Sequence, residues 1–105
     1  MEEPNLSYIK KLSGGDTIFE NKIISILKEE FPVECESYEN SIKSNDFEAA
    51  TEIVHKIKHK ISILGLEKSY NVAVEHEENL NNRKMTLSSE FDNVLKIITT
   101  YLKGV

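Results

Sequence analysis

Apolar residues recur at three- and four-residue steps along most of this chain, the spacing of one face of an α-helix. Ile24, Leu27, Phe31, Cys35, Tyr38 and Ile42 make one such stripe. Phe47, Ala50, Val54, Ile57, Ile61 and Leu64 make a second. Leu66, Tyr70, Ala73 and Leu80 make a third, with Glu77 at the remaining position on that seam. Phe91, Val94 or Leu95, Ile98 and Tyr101 or Leu102 form the last. No stretch alternates with a period of two over a useful length, so strands are not expected. Turn signals separate the stripes: Ser13-Gly14-Gly15-Asp16, Ser44-Asn45-Asp46, Gly65, and Asn81-Asn82-Arg83-Lys84 with Leu87-Ser88-Ser89. Asp16 is placed to cap the helix that follows it.

This pattern predicts an all-α fold with a short first helix over residues 5–12 and four longer helices joined by short loops. Short connections make successive helices antiparallel neighbours. The expected architecture is therefore an up-down four-helix bundle with a short extra N-terminal helix. Pro32 falls inside the second helix and is expected to bend it near residues 28–31, since it removes one backbone donor and crowds the preceding turn. The 105 residues are read as one domain, 1–105, large enough to bury a core without a disulfide or structural metal.

Charge and cysteine content narrow the function. Lys and Arg number 13 against 18 Asp and Glu, a net charge of −5, which argues against a sequence-blind nucleic-acid binder. Cys35 is the single cysteine, so neither an intramolecular disulfide nor a cysteine-based zinc site can form. Its place on a core stripe predicts a buried structural thiol. The acidic Met1-Glu2-Glu3-Pro4 does not read as a secretory signal, and no apolar run is long enough to span a bilayer. The expectation is a monomeric cytoplasmic protein with neither a nucleic-acid nor a membrane partner.

Chemistry concentrates between Asp46 and Leu66. Val54 and Ile57 define the buried side of that helix, which puts His55 on the solvent side with Lys58 and His59 at i+3 and i+4. Ser62 continues the ridge, and Lys56 and Lys60 flank the opposite edge. No acidic residue falls between Glu52 and Glu67. Nearby ammonium groups keep an imidazole neutral and nucleophilic, and they stabilise an arriving phosphoryl group. A lysine-rich face is more often simply solvated, and spacing alone does not choose between the two.

The same segment resembles the histidine-containing phosphotransfer (HPt) domain family. In that family the histidine is followed by an apolar residue at +2, lysine at +3 and Leu-Gly at +9 and +10; here these are His55, Ile57, Lys58, Leu64 and Gly65. Asp46 stands nine residues before the histidine, where the family usually has aspartate. Gly14-Gly15-Asp16, Phe19 and Phe31-Pro32 also resemble its first half, so the similarity covers roughly residues 5–80. The resemblance implies a two-component phosphorelay carrier without kinase activity of its own. His55 would be the phosphoryl acceptor and Lys58 would stabilise the phosphate. The implied partners are response-regulator receiver domains, a hybrid histidine kinase, or both. The receiver would bring Mg²⁺, and this chain would need no cofactor. Docking is expected at apolar residues of the first helix, Leu6 and Ile9, and at the start of the second.

Two positions depart from the family pattern. His59 and Lys60 stand where glycine and a small residue are usual. That glycine leaves the acceptor ring open, so His59 either shields His55, steers it, or adds a polar contact to the phosphoryl group. Counting from His59 breaks the Leu-Gly register, which keeps His55 as the acceptor. Helix-hairpin geometry about Gly65 adds a further candidate. Equal rise on both sides of the turn places Glu75, His76 and Glu77 level with His55. A carboxylate on an apolar seam needs a partner, which Lys58 or His59 can supply. In the family this place often holds a side chain that contacts the histidine or its phosphoryl group, so the resemblance makes Glu77 a candidate for that contact, with a bundle-end salt bridge as the alternative.

Other readings compete. Glu52, His55 and His59 have the spacing of half a bundle di-iron motif, but the second half is missing because Ala73 stands three before His76. The flanking lysines also repel a cation, so no metal site is expected. A non-catalytic helical adaptor, whose histidines are incidental, is the main alternative. No Gly-rich phosphate loop or Ser-His-Asp arrangement is present.

Overall fold

The computed structural model describes residues 2–105, and these form five α-helices with no strand. They are α1 (Ser7–Ser13), α2 (Thr17–Lys43), α3 (Phe47–Ile63), α4 (Glu67–Asn81) and α5 (Ser88–Lys103). α3 packs most extensively, first on α4 and then on α2; α5 packs on α4 and α2, and α1 on α2. Among the described residues no helix is long and apolar enough to cross a membrane.

Local chemistry sets the boundaries. The Asp16 carboxylate accepts from the backbone N–H of Ile18 at 3.0 Å and of Phe19 at 3.1 Å, and Asp46 accepts from Ala49 N–H at 3.1 Å. Each supplies an acceptor that the first helical turn lacks within itself. α1 starts at Ser7, two residues later than expected, because the Asn5 side chain turns back to accept from Ser7 N–H at 3.1 Å. α2 runs unbroken through Pro32.

α4 has no capping side chain of its own at Leu66. Glu2 takes that role from the far end of the chain: its carboxylate accepts from the N–H of Lys68 at 2.9 Å and Ser69 at 3.0 Å. Burial works against that charge, but the two backbone donors prevail and hold the carboxyl below its ordinary range. The same segment crosses the α3–α4 turn, where Asn5 N–H donates to the Leu64 carbonyl at 2.9 Å. Gly65 turns there with φ +75°, and a Cβ at that position would meet the Asn5 side chain at 2.6 Å. Only glycine suits both the left-handed backbone and that approach.

The core follows the stripes closely. Phe31, Val54, Ile57, Ile61, Leu64, Leu80, Phe91 and Ile98 are all buried, whereas Cys35 and Tyr70 are only partly so. Burial, aided by Glu39 and Glu34, pushes the Cys35 thiol up to about 12, so it stays protonated. Two expectations fail. Ile9, assigned to docking, is fully buried, and Leu6 is packed against the core. On α4 the seam position belongs to His76, which is 0% exposed, and not to Glu77. One residue of shift on a helix turns a side chain by about 100°, enough to exchange seam for flank.

His76 lies in a polar-aromatic cluster joining three helices. A 2.7 Å hydrogen bond links its Nε2 to the Tyr38 hydroxyl of α2, and the Phe91 ring of α5 lies 4.8 Å from the His76 centroid and 5.1 Å from that of Tyr38. Its Nδ1 is buried without a partner. Burial pushes the ring down to about 4 and the Tyr38 hydroxyl upward, so both are neutral near pH 7.

Because the unfolded imidazole takes a proton near 6.5 and the folded one only near 4, acid favours unfolding. His76 therefore contributes stability above pH 6.5 that is lost as pH falls through about 4. Melting temperatures recorded from about pH 7 to 5 should fall with pH, by up to about 1.4 kcal/mol of stability per unit. His76→Gln should flatten that dependence; an unchanged slope assigns the acid sensitivity to other groups.

Candidate functional site

His55 sits near the middle of α3, on the side facing α4, with 54% of its side chain exposed. Its Nδ1 lies 3.2 Å from Oε2 and 3.4 Å from Oε1 of Glu77, on the adjoining α4. Lys58 extends from the next turn of α3 to the same carboxylate, with Nζ 3.0 Å from Oε1. The site is thus a row of three groups in which one carboxylate joins an imidazole and an ammonium. The packing of α4 on α3 creates it, since Glu77 is otherwise far in sequence from His55 and Lys58.

That row alters the electrostatics inferred from α3 alone. The absence of acidic residues between Glu52 and Glu67 suggested a cationic surface around His55, yet the charged group nearest the ring is Glu77. Lys58 is not free on the solvent side: its side chain is 14% exposed and lies along the α3–α4 seam. Lys60 is tied down on the other side of α3, with Nζ 3.0 Å from Glu30 and 2.9 Å from Glu34 of α2. Burial works to lower the Lys60 amine, but the two carboxylates outweigh it and raise the amine above its ordinary range. Of the four cation-capable side chains from Lys56 to His59 and Lys60, only Lys56 and His59 are exposed.

His59 stands beside the acceptor candidate. Its ring meets that of His55 edge-on, with centroids 5.0 Å apart and planes at 88°. It does not partner Glu77, which takes His55 and Lys58 instead. Ser62, further along the ridge, is exposed.

The geometry fixes what His55 can do. An ionised carboxylate can only accept, so the ring nitrogen facing Glu77 carries the proton and donates it. In the neutral ring Nε2 then keeps its lone pair and is available as a nucleophile or acceptor. Lys58 balances the Glu77 charge and restrains the carboxylate. A groove of about 730 Å³ between α2 and α5, lined in part by Cys35, Tyr38, Glu39 and Asp92, includes none of these residues. In it, burial and Glu39 raise the Asp92 carboxyl against the opposing pull of Lys96. Among the described residues no group of three or more His, Cys, Asp or Glu side chains is arranged to hold a metal ion.

No protein-family model, curated protein or solved structure matches this chain. The site therefore rests on its own geometry.

Sequence spacing brought His55, Lys58, His59 and Glu77 forward, but it placed Glu77 on the seam and left His76 without a role. The capping by Glu2 was missed altogether. Its only sequence sign is an acidic residue ahead of a helix whose cap position is leucine.

The Glu77 contact is testable by ring ¹⁵N chemical shifts. Neutral His55 should be mainly the Nδ1–H tautomer, and Glu77→Ala should move it toward the Nε2–H form that a free histidine side chain favours. The fold should lose only about 0–1 kcal/mol, as befits a partly exposed ion pair. An unchanged tautomer in Glu77→Ala would show that the carboxylate does not set it.

Proposed function

We propose that this chain is an HPt-type phosphorelay carrier in which His55 accepts a phosphoryl group from a receiver-domain aspartate and passes it to another receiver. In this reading α2 to α5 make the up-down antiparallel four-helix bundle and α1 is the extra N-terminal helix. The observation that carries it is a half-exposed imidazole on a helix flank whose Nδ1 is engaged and whose Nε2 is open.

The chemistry follows from that tautomer. Nε2 attacks the phosphorus of the aspartyl phosphate; an N–P bond forms as the P–O bond breaks, and the electron pair leaves on the aspartate. The Nδ1 proton stays in place, held by Glu77. Removing it would cost the ring its hydrogen bond, so the carboxylate acts as a positioning residue and keeps the nucleophile oriented. Lys58 holds Glu77 in place from within the seam. The receiver supplies its own acidic residues and Mg²⁺. Transfer to a second receiver is the same reaction reversed, which suits a carrier with no nucleotide site.

Docking falls to the apolar side chains that α1 and the start of α2 leave in solvent, and not to Leu6 and Ile9. Tyr8 is 50% exposed, Leu12 56% and Ile18 81%. A small interface of this kind suits partners that must separate after each transfer. The same exposed residues favour the second reading, a helical adaptor that binds a partner without phosphoryl transfer.

Incubation with a phosphorylated receiver separates the two. The carrier should take up a label that is acid-labile and alkali-stable, and His55→Gln should abolish it. Equal labelling of His55→Gln assigns the acceptor elsewhere, and failure to label with any receiver of the host favours the adaptor.

A further inference from the structure

Resting on that reading, we propose that His59 is the side chain that binds the phosphoryl oxygens on His55, with a ring N–H as donor. Three observations lead there. Lys58 is engaged by Glu77 at 3.0 Å and is 14% exposed, so its ammonium lies on the Nδ1 side of His55 and within the seam. Nε2, the nitrogen that would carry the phosphoryl group, is the one turned away from Glu77. His59 lies beside the His55 ring, exposed, with the two centroids 5.0 Å apart and the planes nearly perpendicular. A tetrahedral phosphoryl group extending from Nε2 comes within hydrogen-bond reach of a ring at that separation.

His59 sits among charged groups of both signs. On its own helix it has His55 and Lys56 as neighbours. Across the groove between α3 and α2 it faces Glu29, Glu30 and Glu34, of which Glu30 and Glu34 also hold Lys60. A dianionic phosphoryl group on His55 adds negative charge on the remaining side. In the transfer itself no atom of His59 is exchanged. The N–P bond forms on His55 Nε2, the donor's bond to phosphorus breaks, and His59 hydrogen-bonds to the oxygens before and after.

Phosphoramidate, a small N–P donor that releases ammonia, tests this without any receiver. The rate of His55 labelling is measured at one pH for the wild type, His59→Ala and His59→Gln, and each variant is expressed as a ratio to wild type. Wild type should exceed His59→Ala by about threefold to fivefold, the size expected of one exposed polar contact. His59→Gln, which keeps an N–H donor, should recover part of that rate. Equal rates for wild type and His59→Ala overturn the role, and a variant faster than wild type makes His59 a shield. Failure of the wild type to label on His55 overturns the carrier reading itself, and this inference with it.

Discussion

The register in which α4 runs past α3 is the constraint on which the His55–Glu77–Lys58 cluster depends. It is set at the Gly65 turn, where a left-handed backbone fits only because no Cβ meets Asn5. The N-terminal segment then fastens the turn from outside: Asn5 binds the last carbonyl of α3, and Glu2 binds the first free N–H groups of α4. Each of these contacts is modest alone, of the order of a helix cap or one hydrogen bond, about 1 kcal/mol. Acting at one turn, they resist rotation of one helix against the other. A slip of one residue would turn Glu77 by about 100° and take it from His55 and Lys58.

Around α3 the charges sort into two separate clusters with different purposes. On the α2 side, Lys60 lies between Glu30 and Glu34, nearly out of solvent, and the arrangement reads as a clamp between helices. On the α4 side, Glu77 has the comparable pair of contacts, but one of its partners is an imidazole that remains half in water. An ion pair closed on both sides adds rigidity and little else. One that leaves a ring nitrogen open adds orientation to reactivity, which is why the proposed function is assigned to the second cluster.

Much of this was legible in the sequence because the signals were local. Asp16, Asp46 and Gly14 act within a turn of their own helices, and the apolar stripes report burial through a fixed period of 3.6. His55 was placed on the flank for the same reason. What was not legible depends on contacts between distant parts of the chain. Glu2 reaches residues 66 and 67 positions away, for which no periodicity gives a sign. Lys58 looked free because a helix considered alone ends at its own surface, whereas the facing helix brought a carboxylate. Ile9 looked like docking surface because a helix this short shows too little pattern to reveal its buried face. The exchange of Glu77 for His76 on the seam is subtler. Both residues are polar, and hydropathy alone gives little reason to bury the imidazole before the carboxylate. The Tyr38 hydroxyl decides it, offering His76 a partner inside the core, while Lys58 and His55 offer Glu77 one at the edge.

That exchange links the core to the site. His76 and Glu77 are consecutive on α4, one directed into the Tyr38–Phe91 cluster and the other onto His55. The rotation of α4 that buries the first is the rotation that delivers the second, so neither contact can be adjusted independently. A proton forced onto His76 would place an unpaired charge in the core, and the cheapest relief is to turn or loosen α4. Such a movement withdraws Glu77 and leaves His55 free to change tautomer. The neutral state of a fully buried histidine is therefore a condition for the orientation of the exposed one.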